Sequence, residues 1–266
     1  HVNGPAKYLD IRNHRGSTND DMIALNADDG FLGYEMTTGP ITDAIIDGVY
    51  PVDCLQVVRL LSASSRMDRI IVKNIVGTSR DVVVNQSPFG MGAGNAGTLT
   101  IENIDVRYGP WFNSPGSIYF SGIGIEGIVD TVSIRNVRWN RPIDNRPVVL
   151  FGPSANIGNV LIDNINAFET GSSVAPQRLV RWEGTYCGNM SITNVDWFRD
   201  VLLPQDGAVI QIDTTDNGHG INNLSCANWS VMRCSDLIHL IRGYVTSLFV
   251  RDVLSTQQLN GSRIAY

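Results

Sequence analysis

A short pattern recurs along the whole chain: a strand of alternating apolar residues, then Asn or Asp, then another apolar residue. The Asn or Asp positions are 13, 47, 74, 103, 136, 164, 194, 228 and 252. Their spacing varies from 24 to 34 residues while the strand motif stays the same. Such variation is typical of a solenoid whose loops differ in length from coil to coil. The repeat therefore restricts the chain to a stacked architecture.

A second apolar strand follows each motif after a turn, for example at residues 56–60, 118–120 and 179–182. Two strands per repeat, each paired with the repeats above and below, predict an all-β fold. We expect a right-handed, single-stranded parallel β-helix of about nine coils, forming one domain over residues 1–266. Raw strand edges at both ends would be unpaired, so we expect a fragment of a longer chain.

The recurrent Asn has a predicted structural role at the bend after the first strand. Asparagine tolerates the left-handed backbone conformation, and its amide can hydrogen-bond to the Asn of the next coil.

Charge and composition exclude several partners. The formal net charge is −6 and no run of Lys or Arg occurs, which disfavours nucleic acid. No run of 18 apolar residues exists, so no membrane insertion is expected. His14 and His239 lack the spacing of metal ligands, and neither a metal site nor a cofactor is predicted. The four cysteines are interpreted as small buried side chains.

The densest group of acids lies in residues 19–30, which contain Asp20, Asp21, Asp28 and Asp29. Asp21 has the parity of the apolar strand residues after it, and burial beside a like charge raises the pKa of a carboxyl group. Glycosidic cleavage needs one such acid and a second carboxylate. We therefore predict Asp20 and Asp21 as catalytic residues, with Asp28 or Asp29 as candidate partners. The alternative is that all four serve turns.

Three residues are candidates for binding substrate. Arg59 lies one coil after the acids and either contacts an anionic sugar or phosphate, or pairs with an Asp. Asn26 belongs to the acidic segment itself. Trp111 lies in a loop rich in Gly, Pro, Asn and Ser at residues 109–116, where it either stacks on sugar rings or packs against protein.

Residues 19–25, with the sequence NDDMIAL, resemble a signature of polygalacturonases (glycoside hydrolase family 28). Residues 1–30 resemble phage tail spikes and preneck appendages of the pectin-lyase-like superfold. Three polygalacturonase features differ here. The N-T-D acid of the preceding coil would fall just before His1, the only G-H-G is at residues 218–220, and R-I-K is matched by Arg59-Leu60-Leu61 without the lysine.

The resemblance implies a tail spike or appendage in the virion tail, outside the cell, that binds and hydrolyses a bacterial surface glycopolymer such as polysaccharide or teichoic acid. One alternative is a non-catalytic receptor-binding or structural shaft. Another is a secreted bacterial glycoside hydrolase or polysaccharide lyase. Few charges and a periodic Trp at positions 139, 197 and 229 predict a parallel homotrimer that buries Trp or Phe from loops 109–116 or 140–146.

Overall fold

The computed structural model of the chain describes residues 1–30, 37–108, 121–142, 146–170, 177–200, 207–234, 236–256 and 263–265. All regular structure in these residues is β-strand. None of them belongs to a helix long and apolar enough to cross a membrane.

The strands form two sheets. The ten-stranded sheet contains, in spatial order, β1 (Val2–Asn3), β3 (Asp21–Asp28), β5 (Gln56–Ser62), β7 (Val84–Ser87), β9 (Ile123–Ile125), β11 (Val149–Phe151), β13 (Gln177–Trp182), β15 (Gly207–Asp213), β17 (Asp236–Arg242) and β19 (Arg263–Ala265). The nine-stranded sheet contains β2 (Ala6–Gly16), β4 (Ile41–Cys54), β6 (Met67–Ser79), β8 (Ala96–Tyr108), β10 (Ile128–Pro142), β12 (Asn156–Thr170), β14 (Tyr186–Asp200), β16 (Gly220–Met232) and β18 (Tyr244–Thr256).

The chain alternates between the two sheets, and each strand pairs in parallel with the strands one coil away. This arrangement is a parallel β-solenoid, so the predicted fold class is confirmed. The predicted second strand at residues 118–120 lies outside the described residues. In the ten-stranded sheet that coil contributes β9, where Gly124 interrupts the apolar run that makes other strands recognisable.

The bend after the first strand has the predicted left-handed conformation at eight of the nine positions, from Asn13 (φ 57°) to Asp252 (φ 52°). Side-chain amides link neighbouring coils there, for example Asn103 Nδ2 to Asn74 Oδ1 at 2.9 Å. The prediction for Asp47 was wrong by one residue. Gly48, with φ 73°, holds the bend of that coil, because Arg12 pairs with Asp47 and Asn13 therefore faces Gly48.

The core is a continuous stack of apolar side chains between the two sheets. Trp139, Trp197 and Trp229 belong to it and are at most 2% exposed, so their periodicity reflects packing between coils. The four cysteines are buried and free, as predicted.

Candidate functional site

Asp20 and Asp21 enter the ten-stranded sheet side by side but lie in different surroundings. Asp20 precedes β3 and is exposed, whereas the side chain of Asp21 is only 1% exposed. Nη1 of Arg59 donates a hydrogen bond to Oδ2 of Asp21 at 3.2 Å. The two carboxyl groups therefore do not face one common groove, and Arg59 forms the predicted pairing with an Asp.

Burial raises the pKa of Asp21, the charge of Arg59 opposes that rise, and the charge of Asp20 adds to it. Oδ1 of Asp21 is buried without a hydrogen-bond partner, as are Nε and Nη2 of Arg59. The Phe89 ring covers the guanidinium with its centroid 4.2 Å from Cζ. Arg59 is thus held in place by an acid and an aromatic ring while two of its nitrogens remain unused.

Asp28 and Asp29 lie at the other end of β3, where they build a turn. Asp28 accepts hydrogen bonds from the Ser64 hydroxyl and from the Gly30 amide, the latter at 2.9 Å. Although burial opposes ionisation of Asp28, these hydrogen bonds lower its pKa. The Asp29 carbonyl accepts the Gly90 amide at 2.7 Å.

Seven residue steps separate Asp21 from Asp28, or about 23 Å at roughly 3.3 Å per residue. Glycoside hydrolases place their two carboxyl groups within about 5 to 10 Å of each other. Neither Asp28 nor Asp29 therefore completes a carboxyl pair with Asp20 or Asp21, and the expected partnership is wrong. The reason is that the two groups stand at opposite ends of the eight-residue strand β3.

Asn26, the second candidate for substrate binding, is buried in the ten-stranded sheet. Asn26 is 4% exposed, pairs with Asn3 of β1 in register, and keeps its Oδ1 buried without a partner. Trp111 lies outside the described residues.

Polar side chains follow one another along the outer face of the ten-stranded sheet. Arg59 alternates with the core residues Val58 and Leu60, so its side chain points away from the core. In register with it, strand by strand, come Asn85, Gly124, Leu150, Arg181, Gln211 and His239. Polar side chains thus occupy this row in β5 and β7 and again in β13, β15 and β17, with Gly124 and Leu150 between the two groups.

Three acids that the sequence analysis did not single out lie beside this row. The Glu126 amide bonds to the Gln86 carbonyl and the Glu183 amide to the Phe151 carbonyl, each at 2.8 Å, so both acids directly follow a strand of the sheet. Asp213 ends β15 one coil after Glu183. All three occupy the same place at the end of the second strand, and aligning the coils on that strand would have revealed them.

The carboxyl groups of these acids are close together. Gly152 occupies the coil between Glu126 and Glu183, and a side chain there would overlap the Glu126 carboxylate. Arg181 Nη2 contacts Glu183 Oε1 at 2.6 Å and Asp213 Oδ2 at 3.7 Å. Glycine at position 152 therefore leaves room for Glu126 to lie between the coils.

Burial and then the charge of Glu183 raise the pKa of Glu126. Burial raises the pKa of Glu183 as well, with Arg181 opposing the rise and Asp213 adding to it. Such an arrangement of carboxyl groups can supply both a protonated acid and a base. Among the described residues, no three His, Cys, Asp or Glu side chains are grouped so that they could hold a metal ion.

No protein-family model matches the chain, and neither a curated protein nor a solved structure matches it.

Proposed function

We propose that this β-solenoid binds an extended bacterial surface glycopolymer along the outer face of the ten-stranded sheet and hydrolyses it. The observation that carries this proposal is the row of outward-facing polar side chains in register, with Arg59 in one part of the sheet and Arg181, Gln211 and His239 in three successive strands. A polymer lying along the solenoid axis meets these last three groups in neighbouring coils, about 4.8 Å apart. A repeating polyhydroxyl chain suits such a surface because its hydroxyl groups both donate and accept hydrogen bonds.

Hydrolysis is supported by Glu126 and Glu183. The backbone positions of these acids are two coils, roughly 9.6 Å, apart at about 4.8 Å per coil. The Glu126 carboxylate lies over Gly152 in the coil between them, on the side toward Glu183, so the carboxyl groups are closer than the backbones. Inverting glycosidases separate their carboxyl groups by about 6.5 to 9.5 Å to admit a water molecule. In the proposed reaction Glu126, whose pKa is raised, donates its proton to the oxygen of the leaving sugar. Glu183, oriented by Arg181, takes a proton from the attacking water.

The wider setting is proposed from the sequence. The resemblance of residues 1–30 to tail spikes and preneck appendages supports a place in a virion tail, as does the parallel β-solenoid itself. We propose a homotrimer in that setting. Arg59 is proposed to contact the polymer, since its side chain points away from the core and remains 12% exposed.

A non-catalytic receptor-binding or structural shaft is the second candidate. One observation favours it: Asp20 and Asp21, which the sequence predicts as the catalytic acids, lie in separate surroundings, and Arg59 binds Asp21.

Kinetics on purified bacterial capsular polysaccharides and teichoic acids test the proposal. Glu126→Gln and Glu183→Gln should each lower the release of new chain ends by about 10²- to 10⁴-fold, because an amide cannot exchange the proton. Binding of the same polymer should persist in both variants. The matched control is Asp196→Asn, an exposed acid on the nine-stranded sheet, which should turn over like the wild type.

Asp20→Asn and Asp21→Asn belong in the same series. Loss of turnover in these two variants but not at Glu126 would place the chemistry at the sequence-predicted pair. Polymer binding without chain cleavage by the wild type would instead favour the shaft.

A further inference from the structure

A groove lies on the outer face of the nine-stranded sheet, away from Glu126 and Glu183. Its cavity is about 420 Å³ and is open to solvent. The lining residues are Tyr8, Leu9, Asp10, Asp43, Ile45, Arg69 and Ile71. They come from β2, β4 and β6, three successive strands of this sheet. The volume falls within the range of about 300 to 1,000 Å³ usual for small-molecule sites.

The backbone beside the groove is in an unusual conformation. Tyr8, Asp43 and Arg69 have φ values of 59°, 58° and 53°. They occupy equivalent places, because the residues that follow them pair in register as Leu9 with Ala44 and Ala44 with Ile70. Tyr and Arg rarely adopt positive φ, and such strain, about 1 to 3 kcal/mol for each residue, is concentrated in binding and catalytic sites.

Ion pairs fix one wall of the groove. Arg69 donates two hydrogen bonds to Asp43, from Nε to Oδ1 at 2.6 Å and from Nη2 to Oδ2 at 2.9 Å. Arg69 Nη1 donates to Asp68 at 2.8 Å. These contacts hold the pKa of Asp43 at about 2, mainly through the hydrogen bonds from Arg69. The wall is therefore a rigid, ionised acceptor whose carboxylate oxygens have further lone pairs.

Apart from Asp10, the remaining surfaces of the groove are apolar. Tyr8 is 74% exposed, with the Lys7 ammonium 4.6 Å from its ring centroid. Ile45 and Ile71 are half-buried and point outward, since they alternate with the core residues of their strands. Aromatic and aliphatic surfaces thus lie beside a fixed charged wall.

We propose that this groove is a second carbohydrate-binding site, which holds a single pyranose ring between Tyr8, Ile45 and the Asp43–Arg69 pair. A pyranose has an apolar C–H face and a rim of hydroxyl groups. The C–H face packs on Tyr8 and the isoleucines, while the hydroxyls donate to Asp43 and Asp10. Binding here does not depend on hydrolysis at Glu126, so the two proposals stand or fall separately.

Sugar binding in this groove can be followed by NMR through the isoleucine methyl groups that line it. The protein with ¹³C-labelled isoleucine methyls is titrated with glucose, galactose, mannose, N-acetylglucosamine, N-acetylgalactosamine and galacturonate. At least one of these sugars should shift the Ile45 and Ile71 methyl signals, assigned through Ile45→Val and Ile71→Val. The methyls of Ile123 and Ile125, in the core of the ten-stranded sheet, should not move.

Three variants test the site. Tyr8→Ala and Arg69→Asn should each raise the dissociation constant of the sugar at least tenfold. Asn is chosen at position 69 because it tolerates the positive φ there. The matched control is Tyr50→Ala, which removes another exposed tyrosine of the same sheet outside the groove and should titrate like the wild type. The proposal is overturned if none of the six sugars shifts the two methyls, or if Tyr8→Ala and Tyr50→Ala titrate alike.

Discussion

Burial raises the pKa of the carboxyl groups of both Asp21 and Glu126, but their neighbours differ. For Asp21, the cation of Arg59 opposes the effect of burial. For Glu126, the anion of Glu183 reinforces it. The side chain of Glu126 forms no hydrogen bond or ion pair with another residue in the part of the chain that the structure describes. Burial and its neighbour thus both favour the protonated form of Glu126, whereas Arg59 favours the ionised form of Asp21.

Glu126→Gln should stabilise the fold at neutral pH, although in the proposed mechanism it lowers turnover. Because the folded state raises the pKa of Glu126, the folded protein binds this proton more tightly than the unfolded chain does. The wild type therefore loses stability as pH rises from the ordinary glutamate range, about 4.3, through the raised pKa. The uncharged glutamine avoids that loss.

Urea denaturation at several pH values measures this difference. The midpoint of Glu126→Gln should exceed that of the wild type at pH 7, and the two midpoints should converge in acid below about pH 4. Asp196→Asn, at an exposed position, serves as the control and should follow the wild type throughout. A Glu126→Gln midpoint below that of the wild type at pH 7 would contradict the electrostatic account of Glu126.

At the scale of the element, the bend of each coil depends on one residue that accepts positive φ. Asparagine provides this conformation and also a hydrogen-bonded amide, as between Asn136 and Asn103 at 2.9 Å. Gly48 provides only the conformation, and Asn74 bonds to the neighbouring Asp47 instead, at 2.7 Å. The Asn side-chain amides that bond from coil to coil form a column, which we call the amide column. The second coil lacks a member of this column.

Gly48→Asn should restore the column. A Cβ at position 48 would come 2.8 Å from Oδ1 of Asn13, which is the movable end of a side chain and can rotate to accept the new amide. Gly48→Ala places the same Cβ at positive φ without an amide. We expect the Asn variant to exceed the Ala variant by about 1 kcal/mol in free energy of unfolding, the usual net worth of one hydrogen bond.

Thermal denaturation of the two variants and the wild type compares them directly. The melting temperature of Gly48→Asn should equal or exceed that of the wild type, and that of Gly48→Ala should be lower than both. Equal melting of the Asn and Ala variants would show that the amide column adds nothing at this coil.

At the scale of the whole molecule, apolar surface remains exposed near the C-terminal ends of two inner strands of the nine-stranded sheet, β12 and β14. Phe168 is 40% exposed and stacks on Phe198 one coil away, with centroids 5.0 Å apart and ring planes within 4°. Both are in register with Asn140, the first residue of the loop that was expected to lie in a subunit contact. The stacked pair therefore suits a contact between copies of the chain.

We expect the intact protein to be a parallel homotrimer with three times the chain mass of 29.1 kDa. Replacing both Phe168 and Phe198 with Ser should convert it to monomer in sedimentation equilibrium, because the change removes the apolar surface available for association. Phe249→Ser, at another exposed aromatic of the same sheet, should remain trimeric. A wild type that sediments as a monomer would contradict the expected assembly.

The solenoid and its bends could be read from the sequence because their causes are local. Alternating apolar residues define a strand, and an Asn that accepts positive φ defines the turn after it. The error at Asp47 has the same origin: the pattern marks the polar residue after the strand, but the pairing of Arg12 with Asp47 puts Gly48 at the bend.

The candidate site depended on the tertiary structure. Glu126, Glu183 and Asp213 are isolated in the sequence, and only the register of β9, β11, β13 and β15 places them along one line. Asp20 and Asp21 are adjacent in the sequence, yet the turn into β3 exposes one and buries the other against Arg59. Local patterning determined that the chain would stack, because each coil carries the same strand and bend. Loops of unequal length, and the pairing of strands across them, decided which acids would meet.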